Sequence, residues 1–393
     1  MSKRLTTVLS GLLFLALATA TATATTSARA TATATASAQG KLVVMVAQGY
    51  SLSTVAGGLR VPRAVVQTDA NTAFVAEFGG WNRNSGSLVK LSAAGGSWKI
   101  QRVLTKLDRP VGLVKGPDAK LYLGEVGKIS RFDPQAAVIK LERVITDLPG
   151  KGLHPLTTMA FTSGSDPRLI VNVGSSTNNC DKPKGAKVCA VAEGKSPLAA
   201  LRRYSFDWAT GRAKGFVVIS RGLRNSMGIA VHPSGTILQA ENSRDAINEA
   251  DPKLSDDSLP HDELNLITEG ANYGWPYCYD TKRNAPEFPR YNCAPTTAPH
   301  VLLPAHSAPL GLTYWGNDVV VSYHGYRDTG HRLVAFAVDA AGKVTGTGRE
   351  LIGDWNESDT QQMGGPVGTS VGTDGALWIT DDRNNMVLRL SRN

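Results

Sequence analysis

The sequence predicts an all-β fold: a six-bladed β-propeller with long inter-blade loops. Three observations predict it. A strand–turn–strand pattern recurs six times along the 393 residues. Several copies are followed by another β-rich stretch. Long helical periodicity is nearly absent. Four-stranded units cannot each bury their own faces, but packed radially they cover one another. A sandwich of repeated hairpins is the alternative arrangement of the same pattern.

The copies run in order. They are RAVVQTDANTAFVAEF from Arg63, VGLVKGPDAKLYLGEV from Val111 and TTMAFTSGSDPRLIVNVG from Thr157. Then come MGIAVHPSGTILQAEN from Met227, LGLTYWGNDVVVSYHG from Leu310 and VGTSVGTDGALWITDD from Val367. Turns such as Pro-Asp, Pro-Ser-Gly and Thr-Asp-Gly suit backbone positions with preset or positive φ. Outer strands are expected at SLVKLSA from Ser87, KISRFD from Lys128, LRRYSFD from Leu201, RLVAFAVD from Arg332 and MVLRLS from Met386. The irregular spacing between copies implies long inserted loops.

Two regions are expected. Residues 1–38 read as a signal peptide and an Ala/Thr-rich leader, and residues 39–393 as a single propeller domain. Lys3 and Arg4 start the leader, Val8 to Ala18 is mostly apolar, and Ala36-Ser37-Ala38 fits a small-residue cleavage site. The apolar run is shorter than the ~20 residues of a membrane span. No later segment is apolar enough to cross a membrane. The Ala/Thr tract is low in complexity and is expected to lack structure. These features imply export, to a periplasm or to the medium.

The formal net charge is +9. Basic residues are scattered through turns with no long Lys/Arg run, which argues against nucleic-acid binding and still favours an anionic ligand. The four cysteines form two close pairs. An exported chain can oxidise them, and sequential bridges, Cys180–Cys189 and Cys278–Cys293, are the simplest arrangement. Zinc is the other option, but neither pair has a His at finger spacing. No Cys-x-x-Cys-His motif for covalent haem occurs.

In a propeller, functional residues gather on loops at one mouth of the central channel. Those loops lie before each first strand and after each second strand. The former carry Arg60, Arg109, His154, Arg224-Asn225, His306 and Gly364-Gly365. The latter carry Glu77, Glu125, Asn172, Glu241-Asn242, His324 and Asp381-Asp382. Bases and carboxylates are thus expected together near one axis, with turn caps as the structural alternative. His154 is the leading candidate base. His232 and His261 sit in turns. The acidic insert after the fourth copy, ENSRDAINEADPKLSDDSLPHDELN, offers hard oxygen ligands that suit Ca²⁺. Gly368 to Gly372 matches G-x-S-x-G, but inside a β repeat it lacks the strand-to-helix turn of a nucleophile elbow. No Rossmann or P-loop glycine motif is present.

The stretches GLRNSMGIAVHPSG, ENSRD…LPHDELNLITEGANYGWPYC and HSAPLGLTYW…VSYHGYRDTGHRL carry a family resemblance. Over most of residues 55–391 the chain resembles the glucose/sorbosone dehydrogenase family, exported six-bladed propellers that use pyrroloquinoline quinone (PQQ). Asn242-Ser243 stands where glucose-oxidising members have Gly-Pro, and an insert runs from Asp245 to His261. Both features place the resemblance nearer the sorbosone-type branch. The resemblance implies that His154 is a general base toward a substrate hydroxyl. It implies that Arg224 and Asn225 contact the quinone. It implies a Ca²⁺ held by carbonyls at Asn242 and Ser243, with Asp262 close by. Arg327, Arg332 and Arg383 are the candidates for the PQQ carboxylates. A small sugar-like substrate and a separate electron acceptor, quinone or cytochrome, are expected partners. A calcium-dependent lactonase-type hydrolase and a non-catalytic carbohydrate-binding propeller are the competing functions.

Overall fold

The computed structural model describes residues 29–35, 41–181, 187–355 and 364–393. Six antiparallel sheets make up the propeller. Blade 1 comprises Pro62–Asp69, Thr72–Glu77, Gly86–Ala94 and Ser97–Leu107. Blade 2 comprises Gly112–Lys115, Leu121–Glu125, Lys128–Phe132 and Glu142–Ile145. Blade 3 comprises Met159–Phe161, Leu169–Val173, Ala200–Asp207 and Arg212–Arg221. Blade 4 comprises Ser226–Val231, Ile237–Glu241, Asp262–Leu266 and Val301–Leu303. Blade 5 comprises Pro309–Trp315, Asp318–Tyr323, Arg332–Ala337 and Arg349–Gly353. Each of the six sequence copies supplies the two inner strands of one blade.

The sixth blade is built from both ends of the propeller. Pro366–Val371, Leu377–Asp381 and Met386–Arg392 are completed by Tyr50–Ala56, which pairs antiparallel with the last strand. This closes the ring and covers a sheet edge. Lys41–Ala47 continues onto the neighbouring blade 5, where Met45 pairs with Gly353 and Val46 with Ile352. Leu42, Val44 and Val46 are buried there with Trp315, Leu351 and Leu390.

The leader differs in one respect from its sequence-based expectation. Arg29–Thr35 is a strand paired with Lys41–Ala47. The alternating Ala/Thr pattern has the two-residue period of a strand, and β-branched Thr fits a pleated surface. The apolar run Val8 to Ala18 and the cleavage site Ala36-Ser37-Ala38 lie outside the described residues.

Second strands are the most deeply buried, because a blade neighbours them on each face. Every residue of Leu121–Glu125, Leu169–Val173 and Asp318–Tyr323 is buried. Aromatic contacts bridge the blades: Phe74 meets Phe132 edge-on at 5.3 Å, and Trp98 meets Trp378 at 5.4 Å. Nearer the axis the inner strands touch through backbone. A Cβ on Gly311 would lie 2.1 Å from the Val367 carbonyl oxygen, and one on Gly368 would lie 2.4 Å from that of Arg63. The small residue at the start of the V-G and L-G copies is therefore a packing requirement. The six inner strands enclose a cavity of about 530 Å³. Residues 368–372 lie in and directly after the innermost strand of blade 6, with no helix following.

The longest insertions run between consecutive strands of one blade: residues 174–199 in blade 3, and 242–261 and 267–300 in blade 4. Both expected disulfides form in them, Cys180–Cys189 and Cys278–Cys293. Their sulfurs pack with Ile247, Trp275, Tyr277 and Phe288 into one apolar cluster. Among the described residues, no helix is long and apolar enough to cross a membrane.

Candidate functional site

The strand-end carboxylates and amides have a shared structural task. Glu77 Oε1 accepts the backbone N–H of Arg60 (2.9 Å), and Glu125 Oε1 that of Asp108 (2.9 Å). Asn172 Oδ1 accepts that of Thr158 (2.7 Å), Glu241 Oε1 that of Asn225 (2.9 Å) and Asp381 Oδ1 that of Gly365 (3.0 Å). In each case a residue at the end of a second strand, the last one in four blades and the last but one in blade 3, braces the loop that leads into its own blade's first strand. Blade 5 ends its second strand in Tyr323 and borrows the brace from blade 4. Asp262 Oδ2 accepts from Ala308 N (2.7 Å) and Ser307 Oγ (3.0 Å). These polar groups are buried and hydrogen-bonded, as their desolvation requires. The turn-cap alternative therefore accounts for them.

What remains at the mouth is the opposite set, the residues those braces hold in place. His154 lies on the segment between blades 2 and 3. Its Nδ1 is 3.1 Å from the Ser175 carbonyl oxygen and 2.8 Å from Ser175 Oγ. The carbonyl only accepts, and Ser175 Oγ gives its own proton to the Thr177 carbonyl at 2.6 Å. Nδ1 thus carries the hydrogen, and Nε2 is the unprotonated nitrogen. Burial, followed by the charge of Arg224, lowers the His154 pKa to about 3. The ring is neutral at every physiological pH.

Arg224 is buried, and its guanidinium is hydrogen-bonded on all sides. Nε donates to the Asn178 carbonyl (3.1 Å). Nη1 donates to the carbonyls of Asn242 (3.1 Å) and Ser243 (2.7 Å). Nη2 donates to Asn178 Oδ1 (2.8 Å) and Asp245 Oδ2 (3.0 Å). Asn225 is fixed through its backbone, which donates to Glu241 and accepts from Asn242 N at 3.1 Å. Its half-buried side-chain amide makes no hydrogen bond among the described residues. From Asp245 the network continues outward. His306 Nδ1 is 3.3 Å from Asp245 Oδ1, and Asp256 bridges His306 to Arg327.

These contacts bear on the expected calcium ligands. Both carbonyls, Asn242 and Ser243, face the Arg224 guanidinium. Asp262 spends Oδ1 on Ser243 N (2.8 Å) and Oδ2 on the blade 5 brace. Burial raises its pKa to about 6. Among the described residues no three His, Cys, Asp or Glu side chains converge as a metal cluster. In this arrangement the donor set does not fit a divalent cation, because the Arg224 guanidinium, itself a cation, already hydrogen-bonds both carbonyl oxygens.

The TrAA12-like family model matches residues 44–393. The chain belongs to that family. It is a family of PQQ-dependent sugar dehydrogenases, in agreement with the resemblance read from the sequence. One relative is a PQQ-dependent pyranose dehydrogenase of Coprinopsis cinerea, 23% identical over 406 residues, covering 88% of this chain and 54% of the relative. The chain thus spans about half the length of that curated relative. Among solved structures, a Trichoderma reesei protein of Carbohydrate-Active Enzymes Family AA12 superposes with a TM-score of 0.72 at 20% identity, covering 89% of this chain and 98% of that one. The holo form of the pyranose dehydrogenase PQQ domain from Coprinopsis cinerea gives 0.70 at 19% identity, covering 91% and 98%.

In this TrAA12-like chain the remaining predicted residues fall into separate places. Arg383 Nη1 is 2.8 Å from His331 Nδ1, and Nη2 donates to the His324 carbonyl at 2.9 Å. Its guanidinium lies 4.3 Å from the Tyr326 ring centroid, and that tyrosine is exposed. His324 Nε2 is 3.0 Å from Asp382 Oδ1, and Asp382 pairs with Arg63 at 2.9 Å. Arg383 therefore sits in a second polar cluster, between blades 5, 6 and 1. Arg327 belongs to the Arg224–Asp245–His306 network. Arg332 joins neither cluster; it pairs with Glu350 of its own blade at 3.2 Å.

Sequence reasoning missed Ser175, Asn178, Asp245 and Arg63. Ser175 and Asn178 follow a second strand, the position already singled out, but three and six residues beyond Asn172 in a long loop. Asp245 is the first residue of the noted insert. Arg63 opens the first copy and gave no signal beyond its charge.

Proposed function

We propose that the protein is a PQQ-dependent oxidoreductase that oxidises a sugar-like hydroxyl or aldehyde hydrate. The observation that carries the reading is His154, held neutral with Nε2 as its free basic nitrogen and electrostatically coupled to buried Arg224 at the channel mouth. When bound, PQQ would supply the two-electron acceptor for the hydride of the substrate carbon. The donor set suits a planar polyanion. Arg224, His306, Arg327, Arg383 and Arg63 gather at this mouth, all but Arg383 facing a carboxylate of the protein, and Tyr326 offers an exposed ring. Buried Arg63 Nε and His331 Nε2 have no hydrogen-bond partner among the described residues.

The chain's own residues divide the work. His154 Nε2 takes the proton of the substrate hydroxyl, and Ser175 holds the ring in that tautomer. Arg224 holds buried positive charge near where negative charge develops. The Asn225 amide is free to hydrogen-bond a ligand oxygen. Arg383 and Arg327 are the candidates for the ligand's carboxylates. Calcium is assigned no step.

We infer that the protein is exported and passes electrons to a separate acceptor, quinone or cytochrome. The two disulfides and the basic leader start support export. Titration of purified protein with PQQ, followed by quinone absorbance, tests the cofactor. Dye-linked oxidation of aldoses and sorbosone tests the reaction. Lactone hydrolysis without PQQ, with no quinone bound, would replace this reading with the hydrolase.

A further inference from the structure

Arg224 is expected to contact an anionic ligand, yet all of its N–H donors already have acceptors inside the protein. A guanidinium has no lone pair and no spare donor to offer once its fork is filled. A ligand oxygen can reach it by hydrogen bond only by displacing one of those acceptors.

The acceptors are not equally displaceable. The Asn178 carbonyl also takes Trp275 Nε1 at 3.0 Å. The Asn178 side chain is tied at both ends to the Asp245 backbone, accepting from N (3.0 Å) and donating to O (2.8 Å). Asn242 is anchored by its side chain to the Pro309 carbonyl at 3.0 Å, and Ser243 by its N–H to Asp262. The Asp245 carboxylate is different. Its side chain is 63% exposed, while that of Arg224 is 4% exposed. Its backbone is fixed by Asn178, so rotation of one side chain is enough to release Nη2. Oδ1 already faces His306 Nδ1 at 3.3 Å, which offers the released carboxylate a second cationic partner. Burial alone would raise the Asp245 pKa; hydrogen bonding to His306 and the charge of Arg224 outweigh it and keep the group ionised.

We propose that Asp245 is an internal placeholder for the ligand's oxyanion: its carboxylate occupies the Arg224 Nη2 position until an incoming ligand oxygen replaces it, and it then rests on His306. The proposal rests on the reading of this mouth as an anionic-cofactor site, and it makes the Asp245 rotamer a determinant of apparent affinity. A ligand whose site is open only part of the time binds more weakly by that fraction.

Two probes separate the placeholder from the cofactor reading: PQQ itself, and oxalate as a small dianion, each titrated calorimetrically. Asp245→Ala is expected to bind oxalate and PQQ about tenfold more tightly than the wild type, as for a site closed roughly nine-tenths of the time. Glu249→Ala removes the same charge from an exposed position of the same insert, and it is expected to change either affinity less than about twofold. A gain for oxalate in Asp245→Ala with no PQQ binding to any protein would leave the placeholder standing and end the cofactor reading. Unchanged or weaker oxalate binding in Asp245→Ala, or an equal gain in Glu249→Ala, would overturn the placeholder.

Discussion

His154 and Ser175 meet through a single ring nitrogen: Nδ1 lies 2.8 Å from the serine hydroxyl oxygen and 3.1 Å from the serine carbonyl oxygen. One residue therefore sets both the tautomer and the tilt of the candidate base. Ser175→Ala keeps the carbonyl contact and loses the hydroxyl. Steady-state kinetics on the PQQ-loaded protein is expected to show kcat lowered about tenfold, with KM nearly constant, as for loss of a histidine-orienting partner. His154→Ala is expected to lower kcat by a factor of roughly 10²–10⁴ with PQQ binding retained. An equal effect of both variants on PQQ affinity would count against the assigned roles.

The depressed pKa of His154 gives two pH effects of definite sign. The base is active when neutral, so activity is expected to persist through pH 5 and to fall only as pH approaches about 3. Stability runs the same way. The unfolded histidine protonates near 6.5 and the folded one near 3, so the unfolded chain binds more protons between those values. Its contribution to folding is thus lost as pH drops from 6.5 toward 3. Thermal unfolding of His154→Gln across this window is expected to decline less with acid than the wild type.

Arg224→Ala is expected to destabilise the fold, because three carbonyls, an amide and a carboxylate lose their donor. At about 1–3 kcal/mol for each buried acceptor left unpaired, the loss is on the order of 3 kcal/mol or more. Calorimetric unfolding measures it. Loss of activity in this variant therefore does not isolate a role in chemistry; the more exposed Asp245 is the better place to probe the same guanidinium.

Cys180–Cys189 closes a loop of separation 9 whose neighbour Asn178 holds Arg224. Replacing both cysteines by serine is expected to cost about 2–3 kcal/mol through the unfolded chain. It is also expected to weaken PQQ binding by freeing Asn178. A stability loss with unaltered PQQ affinity, read by titration, would show that the loop positions Asn178 without the bridge.

The strand-end carboxylates make the complementary prediction. Glu77 is buried, braces Arg60 N and pairs with Arg102 at 2.8 Å. Glu77→Ala is expected to cost roughly 2 kcal/mol or more in chemical denaturation while leaving kcat of the folded protein within about twofold. A selective loss of kcat would return this carboxylate to the chemistry.

The blades were legible in the sequence because each is a local event: two short strands, a turn with the right residues, and a small residue where backbones touch. The disulfide pairs were legible because each joins cysteines close together in the chain; His154, Arg224 and Asn225 were singled out because each precedes the first strand of a repeat. The tertiary structure decided what those residues do. Glu241 and Asp262 look like a site in sequence and prove to be loop braces, because their donors come from other loops. The Asn242 and Ser243 carbonyls look like metal ligands and prove to face a guanidinium. Ring closure by Tyr50–Ala56 joins residues more than three hundred positions apart. Hydrogen-bond partners at such separations are chosen by how the blades pack, and no local pattern records that choice.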